Sequence, residues 1–368
     1  MKVGLNATCL NARPSGAKQR FIGIYRELVK RMPDTEFVVY EPSDCRVGSW
    51  FEGAPNVSAR RTPIPSEGRV KKLIGGLRYW GSTLYQEKYD LFEGFHMPLV
   101  KAPTGKTLLT IHDIRGIDSE YGSLSRAVIK KFLGSSIRAA DHVITVSEAM
   151  KEEILNNYPE VPISVIYNGL DVCGFDAITE SDLLAVRKKF ALPEEFLLAV
   201  GHFERRKNYL RLIDALSLLR DRGRSCSLLI IGNDSGERDV IEKRVMSLNL
   251  SGHVQILSGL SDQEVRCAYK LCSLFVFPSY YEGFGIPILE AMAAGCPMVL
   301  SDIPVFREIT QNQGVYFPHS DSDALADAIE YLLCSTEESF RLINYGHQRV
   351  KDFSFQKIAS QVESLYKG

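Results

Sequence analysis

Residues 274–302 read LFVFPSYYEGFGIPILEAMAAGCPMVLSD, and no other stretch of the chain restricts its fold as tightly. The apolar run LFVFP at 274–278 has the length and content of a buried strand. Gly283 and Gly285 then supply backbone angles closed to other residues, or room for a ligand to approach closely. Pro287 suits the first turn of a helix, where its missing N–H lacks a partner in any case. Gly295 followed by Pro297 marks the end of that helix, and MVLSD at 298–302 reads as the next strand. Strand, glycine bend, helix and strand in this order aim backbone N–H groups and the positive end of a helix dipole at one spot. Such a corner suits a phosphate.

Glu282 and Glu290 stand eight positions apart, on either side of the second half of that bend. With one in the bend and the other in the first turn of the helix, both face the anion-binding corner. A carboxylate accepts two hydrogen bonds from vicinal hydroxyls, so the pair fits a nucleotide sugar: ribose, diphosphate, hexose. The competing reading is a loop glutamate in solvent and a second acid that complements the helix dipole.

Similar strand-then-helix alternation fills the rest of the chain. Strand-like runs at 1–6, 36–42, 107–113, 141–147 and 162–169 alternate with amphipathic segments such as 20–32. A second block begins near residue 194 and runs through strands at 227–233, 253–257 and 274–278. The pattern predicts an α/β fold with two doubly wound domains in tandem. The seam falls in 169–184, which gives an N-terminal domain of residues 1–175 and a C-terminal domain of 176–352. In open parallel sheets ligands sit beyond the carboxyl ends of the strands, so a cleft between two such domains is the expected active site. The amphipathic helix at 353–368 either ends the second domain or returns to the first.

VGHFERRKNYLRLIDAL, at 200–216, carries the second constellation. A strand ends at Gly201, a short loop bears Arg205, Arg206 and Lys207, and Asn208 stands where it can cap the next helix. Cations at a strand's carboxyl end can neutralise a diphosphate leaving group. Arginine offers a planar fork and lysine a mobile point charge. In the first domain, Gly16 lies between a strand and a helix, either in a loop that closes over a phosphate or in a simple connector. His112 and Asp113 end the strand TIHD, where a role in the cleft competes with that of a packed, hydrogen-bonded histidine. His96, in HMPLV, is a weaker candidate, and SEAMKEE at 147–153 reads as a helix cap. GRVKKLIGGLRYWGSTLY, at 68–85, mixes four cations with apolar residues, as a membrane-surface helix or a half-buried helix does.

The chain has 368 residues, 45% apolar and 24% charged, enough for two globular domains. A net charge of −1 gives no case for a nucleic-acid partner. The first residues are too polar for a secretory leader, and no apolar run approaches the roughly 20 residues of a membrane span. The expectation is a cytoplasmic protein, at most peripheral at the inner membrane surface. The eight cysteines include no C-x-x-C pair and are expected to be free thiols.

EGFGIPILEAMAAGCP, GHFERRKN, SGLSDQEVRCAYKLCSLFVFPS, TIHDI, ITVSEAMKEEIL and IYNGLD together resemble the retaining glycosyltransferases of family 4, the sucrose-synthase-like group. These motifs extend over nearly the whole chain. The resemblance implies the GT-B fold, two Rossmann-like domains facing across a cleft, with the last helix crossing back onto the first. It also implies roles. Glu282 would hold donor-sugar hydroxyls and Glu290 the ribose hydroxyls. Gly283, Phe284 and Gly285 would offer backbone N–H groups, and Arg206 and Lys207 would bind the diphosphate. Gly201 would lie beside the donor, Gly16 near the phosphates, and His112 near the reaction centre. No metal ion or other cofactor is implied. Two departures stand out: Arg205 replaces a proline common in relatives, and Ser15-Gly16-Ala17 lacks the usual double glycine.

The implied activity is transfer of a hexose from a nucleotide sugar to a glycan or lipid-linked glycan in surface-polysaccharide assembly of the O-antigen or capsule kind. A GDP-sugar carrying mannose or a deoxyhexose is the first expectation for the donor and a UDP-hexose the next. The rival readings are a nucleotide-sugar 2-epimerase on the same fold and a non-catalytic protein that binds sugar nucleotides.

Overall fold

Short apolar strands, each followed by a helix, form two parallel sheets in the computed structural model. It describes residues 1–13, 15–68, 71–72, 75–76, 79–80, 87–96, 99, 105–114 and 123–368. The chain divides into a first unit, Met1–Gly169 with Phe355–Gly368, and a second, Leu170–Ser354.

The first unit holds β1 (Lys2–Asn6), α1 (Gly16–Arg31), β2 (Glu36–Glu41), β3 (Val57–Arg61), β4 (Leu91–Gly94) and β5 (Lys106–Ile111). It continues with α2 (Ser123–Ala139), β6 (His142–Thr145), α3 (Glu148–Asn157) and β7 (Ile163–Val165). The sheet runs β3-β2-β1-β4-β5-β6-β7. The second unit holds α4 (Cys173–Asp176), α5 (Glu180–Lys189), β8 (Leu197–Val200), α6 (Tyr209–Asp221), β9 (Leu228–Ile231), α7 (Arg238–Ser247) and β10 (Val254–Leu257). It continues with α8 (Asp262–Leu271), β11 (Leu274–Phe277), α9 (Ile286–Ala294), β12 (Met298–Ser301), α10 (Pro304–Thr310), β13 (Val315–Phe317), α11 (Ser322–Cys334) and α12 (Thr336–Arg349). Its sheet runs β10-β9-β8-β11-β12-β13.

Every strand pair is parallel, with Phe277 opposite Leu300 and Val3 opposite both Phe37 and Leu91. Strands such as LFVF and LLII are buried at every position, as parallel strands covered on both faces must be. The order reverses between β1 and β4 in one sheet and between β8 and β11 in the other. At such a reversal the connecting helices leave toward opposite faces, and a crevice opens at the strands' carboxyl ends. In the second unit that crevice receives the loops after β8 and β11, which carry the two constellations read from the sequence.

The unit boundary lies at Gly169–Leu170, at the start of the expected seam and six residues before the expected domain limit at 175. Leu170 donates its N–H to Phe353 O at 2.8 Å. Phe175 is buried, with the Arg266 guanidinium 5.5 Å from its ring centre. These contacts assign α4 to the second unit. The last helix, α13 (Phe355–Lys367), belongs to the first. Ile358, Ala359, Val362 and Tyr366 on its apolar stripe join the core built by α1 and β1. Tyr366 also reaches a polar group at the sheet's centre. Its hydroxyl and that of Tyr25 both donate to Glu93 Oε2, and Thr110 Oγ1 donates to Oε1 at 2.5 Å. Burial raises the Glu93 carboxyl above its ordinary range against these hydrogen bonds and the nearby Arg20.

Polar edge strands and short strands are what periodicity does not reveal. β3, VSARR, is largely exposed, and LFEG in β4 spans four residues. The basic segment 68–85 lies largely outside the described residues. Its Trp80 is buried against Tyr40 and Phe92. Among the described residues no helix is long and apolar enough to cross a membrane.

At Gly23 on α1 the Phe355 ring packs against bare backbone, and a Cβ there would lie 2.2 Å from two ring atoms. Gly23→Ala is therefore expected to destabilise the first unit by about 1–3 kcal/mol in urea unfolding. Phe355→Ala in the same chain removes the clash, so the double variant should lose less than the sum of the single losses.

Candidate active site

The loop after β8 makes a single turn of 3-10 helix at Arg205–Lys207 and ends on Asn208. Asn208 does not cap α6 as the sequence suggested. It adopts the left-handed conformation (φ 58°), and its side-chain amide donates to Pro278 O at 3.0 Å and His319 O at 2.8 Å. It thereby ties the cation loop to the end of β11. Tyr280 adds a second tie by donating its N–H to Arg206 O at 3.0 Å.

Those ties bring the acid from one loop onto the cations of the other. Glu282 Oε1 accepts from Lys207 Nζ at 2.7 Å, and its Oε2 pairs with Arg206 Nη1 at 2.6 Å. Arg206 Nε donates to Glu204 Oε2 at 2.7 Å, and its Nη1 also reaches Tyr281 O at 3.3 Å. Lys207 Nζ lies 4.9 Å from the centre of the Phe277 ring. Gly201 makes room for that lysine stem. A Cβ there would sit 2.9 Å from Lys207 Cε, and its φ of +151° is one that residues with side chains rarely adopt.

The two glutamates have opposite environments. Burial pushes Glu282 up, but Lys207 and Arg206 outweigh it and hold the carboxyl at about 2. Burial lowers the Lys207 ammonium against the pull of Glu282. For Arg206 the two acids outweigh burial and raise the guanidinium. Glu290 has no ion-pair partner among the described residues. Burial raises it to about 7, against a hydrogen bond from Tyr269 and with Asp262 adding to the rise. Lys207 acts electrostatically on both acids.

Gly285 stands at the N-terminus of α9 with φ +128°, no side chain caps that end, and Pro287 lies in the first turn. Glu290 is the fifth residue of α9, one turn deeper than the first-turn position expected, because the helix starts at Ile286. Phe284 is buried, with its ring edge-on to Phe353 at 6.0 Å, so its side chain braces the bend. Gly283 is buried beside it.

In the first unit, Gly16 is the first residue of α1 and not part of a loop. Ser15 caps the helix, its Oγ accepting from Lys18 N at 3.2 Å. His112 follows β5 and lines a small cavity with Cys9, Ala17, Arg20 and Phe95. Burial, with Arg20 nearby, lowers His112 to about 3 and keeps it neutral. His96, after β4, is lowered to about 4 by burial with Lys72 nearby, and among the described residues its Nδ1 has no hydrogen-bond partner. Glu204 and Tyr269 are the site residues that the sequence reading missed. Both lie inside stretches singled out for other residues, GHFERRKN and SGLSDQEVRCAYKLC, and each is recognised only by the side chain it touches. Among the described residues no three His, Cys, Asp or Glu gather as metal ligands.

Residues 184–349 match the model for glycosyl transferases group 1, and residues 14–172 that for glycosyltransferase family 4. The chain is 31% identical over 318 residues to O-antigen chain mannosyltransferase B of Escherichia coli, spanning 84% of this chain and 81% of that one. It is 30% identical over 251 residues to O-antigen chain mannosyltransferase RfbU of Salmonella typhimurium, spanning 68% of this chain and 66% of that one. Among solved structures, sucrose-phosphate synthase from Thermosynechococcus elongatus superposes with a TM-score of 0.78 at 22% identity, covering 100% of this chain and 98% of that one. The chain is a glycosyltransferase of the GT-B fold and belongs to glycosyltransferase family 4.

Glu282 is held below its unfolded value, so its stabilising effect is complete above about pH 4.5 and is lost as pH falls toward about 2. Glu282→Gln is expected to cost about 3 kcal/mol at pH 7, because it leaves the buried Lys207 and the half-buried Arg206 short of a partner. Urea unfolding at pH 7 and pH 3 checks this: the gap between variant and native protein should narrow at the lower pH.

Proposed function

We propose that the protein is a retaining hexosyltransferase that takes a nucleotide-diphosphate sugar, with GDP-mannose or a GDP-deoxyhexose first and a UDP-hexose next, and extends a glycan or lipid-linked glycan. The observation that carries this reading is the buried Glu282 shared by Lys207 and Arg206 beside the uncapped N-terminus of α9. An incoming diphosphate competes for the two cations and the helix end, which frees the Glu282 carboxylate to accept from hexose hydroxyls. Glu290 takes the vicinal ribose hydroxyls. The two O-antigen mannosyltransferases support mannose as the sugar and a surface polysaccharide as the setting.

No side chain of the second-unit cluster is placed as a nucleophile, which favours attack on the face the leaving group vacates. The bond from the sugar's anomeric carbon to the β-phosphate oxygen breaks as the acceptor oxygen bonds to the same face. The acceptor's proton passes to the departing phosphate. Lys207, Arg206 and the helix N-terminus stabilise the charge that develops on the diphosphate. Two fixed cations supply the charge compensation that a bound metal gives elsewhere.

A thermal-shift screen of GDP, UDP, ADP and their sugars tests the reading. A ligand at 100 times its Kd should stabilise by about 2.7 kcal/mol, and failure of every nucleotide to stabilise the protein would sink the proposal. Lys207→Ala should weaken binding of the active nucleotide at least tenfold, by analogy with other charge-assisted contacts. EDTA should leave transfer to a purified acceptor unchanged. A strict requirement for a divalent cation would remove the role given to Arg206 and Lys207.

A further inference from the structure

We propose that Tyr269 is a positioning residue for Glu290, holding its carboxylate ionised and oriented toward a ribose diol. This rests on the placement of the donor ribose at Glu290 given above. Tyr269 projects from α8 and Glu290 from α9, so the contact bridges two helices. The phenol ring is 1% exposed and packs against Phe275 with centres 5.2 Å apart. Its hydroxyl donates to Glu290 Oε2 at 3.0 Å. Among the described residues no protein donor reaches Oε1, and Glu290 keeps a partly open face.

The chemistry of a diol explains why this matters. Two vicinal hydroxyls donate most strongly to an ionised carboxylate whose plane is fixed. A protonated carboxyl gives up part of its acceptor capacity. Burial leaves Glu290 near the point where both forms are populated at neutral pH, titrating at about 7. A hydrogen bond to the charged form shifts that balance toward the anion. The charges acting on Glu290 are Asp262 and Arg266, also on α8, and Lys207 from the turn after β8. On the other side of α9, His347 of α12 lies against Gly295 at the far end of the helix. Cys272 and Cys296, with sulfurs 3.1 Å apart, clasp the ends of α8 and α9, and Cys272 also donates to Tyr269 O at 3.2 Å. The phenol is therefore anchored at its ring, its backbone and its hydroxyl.

The test measures Kd for GDP-mannose and for UDP-glucose by calorimetry between pH 6 and 9.5, using whichever binds. A diphosphate diester has no proton that titrates near neutrality, so below the alkaline range in which the guanine or uracil N–H ionises the pH dependence reports the protein, and the free nucleoside diphosphate run alongside corrects for the base above it. In the native protein affinity should rise with pH through a midpoint of about 7. Tyr269→Phe keeps the ring and removes the donor, so the midpoint should rise by about one to two pH units. Binding at pH 7 should then be about 5- to 50-fold weaker and recover by pH 9.5. Glu290→Gln should bind weakly at every pH, and adding Tyr269→Phe to it should change little. An unmoved midpoint in Tyr269→Phe, with Glu290→Gln weakened, overturns the positioning role and leaves the ribose assignment standing. Native affinity in Glu290→Gln overturns the ribose assignment itself. A matching far-UV spectrum and melting temperature for Tyr269→Phe separates either result from misfolding.

Discussion

Glu282 is the group on which the second unit's site depends. Alone, Lys207 and Arg206 would be two positive charges in a place that excludes most water, and their repulsion would push the loop after β8 outward. One carboxylate between them, with Glu204 on the far side of the guanidinium, brings the local charge to balance. The backbone is shaped to permit that cluster. Gly201 leaves space for the lysine stem. Gly232 lets the neighbouring strand end approach, since a Cβ there would lie 1.9 Å from Gly201 O. Asn208 accepts a left-handed conformation so that its amide can hold the loop against β11.

The same strand–bend–helix motif makes two different acids from two identical side chains. Glu282 meets cations and stays ionised in all but strongly acidic solution, whereas Glu290 meets mostly apolar surroundings and a phenol and sits near neutrality. Environment, not residue type, separates a carboxylate that answers to positive charge from one that answers to hydroxyls.

Features that depend on local chemistry were legible in the sequence. The strand at 274–278, the glycine bend, Pro287 in the first helical turn and Gly295 at the helix end all follow from backbone preferences that act within a few residues. The alternation of strands and helices reads as a doubly wound parallel sheet, and the reversal of order between β8 and β11, seen only in the structure, places the two motifs at adjacent strand ends. What was not legible depends on contacts across the fold. Asn208 looks like a helix cap until its amide finds two carbonyls from distant segments. Gly16 looks like part of a phosphate-closing loop or a connector until Ser15 caps the helix that begins there. Tyr269 is an ordinary helix residue until its hydroxyl meets Glu290 on the next helix, and Glu204, two positions from Arg206, shows its pairing only once the 3-10 turn is formed. Within the expected seam the boundary sits at its first residues, where the Leu170 N–H bonds to Phe353 O, a contact that composition does not mark.

Glu93 waits at the centre of the first sheet for Tyr366, 273 residues further along the chain. During synthesis most of the second unit emerges before that hydroxyl, so the unit begun first is the one finished last. Until then a buried carboxyl at the heart of the sheet lacks one of its donors, and the groove along α1 lacks its apolar cover. The ordering makes the first unit a nascent-chain intermediate with exposed core, open to chaperones and proteases for the time needed to translate about half of the protein.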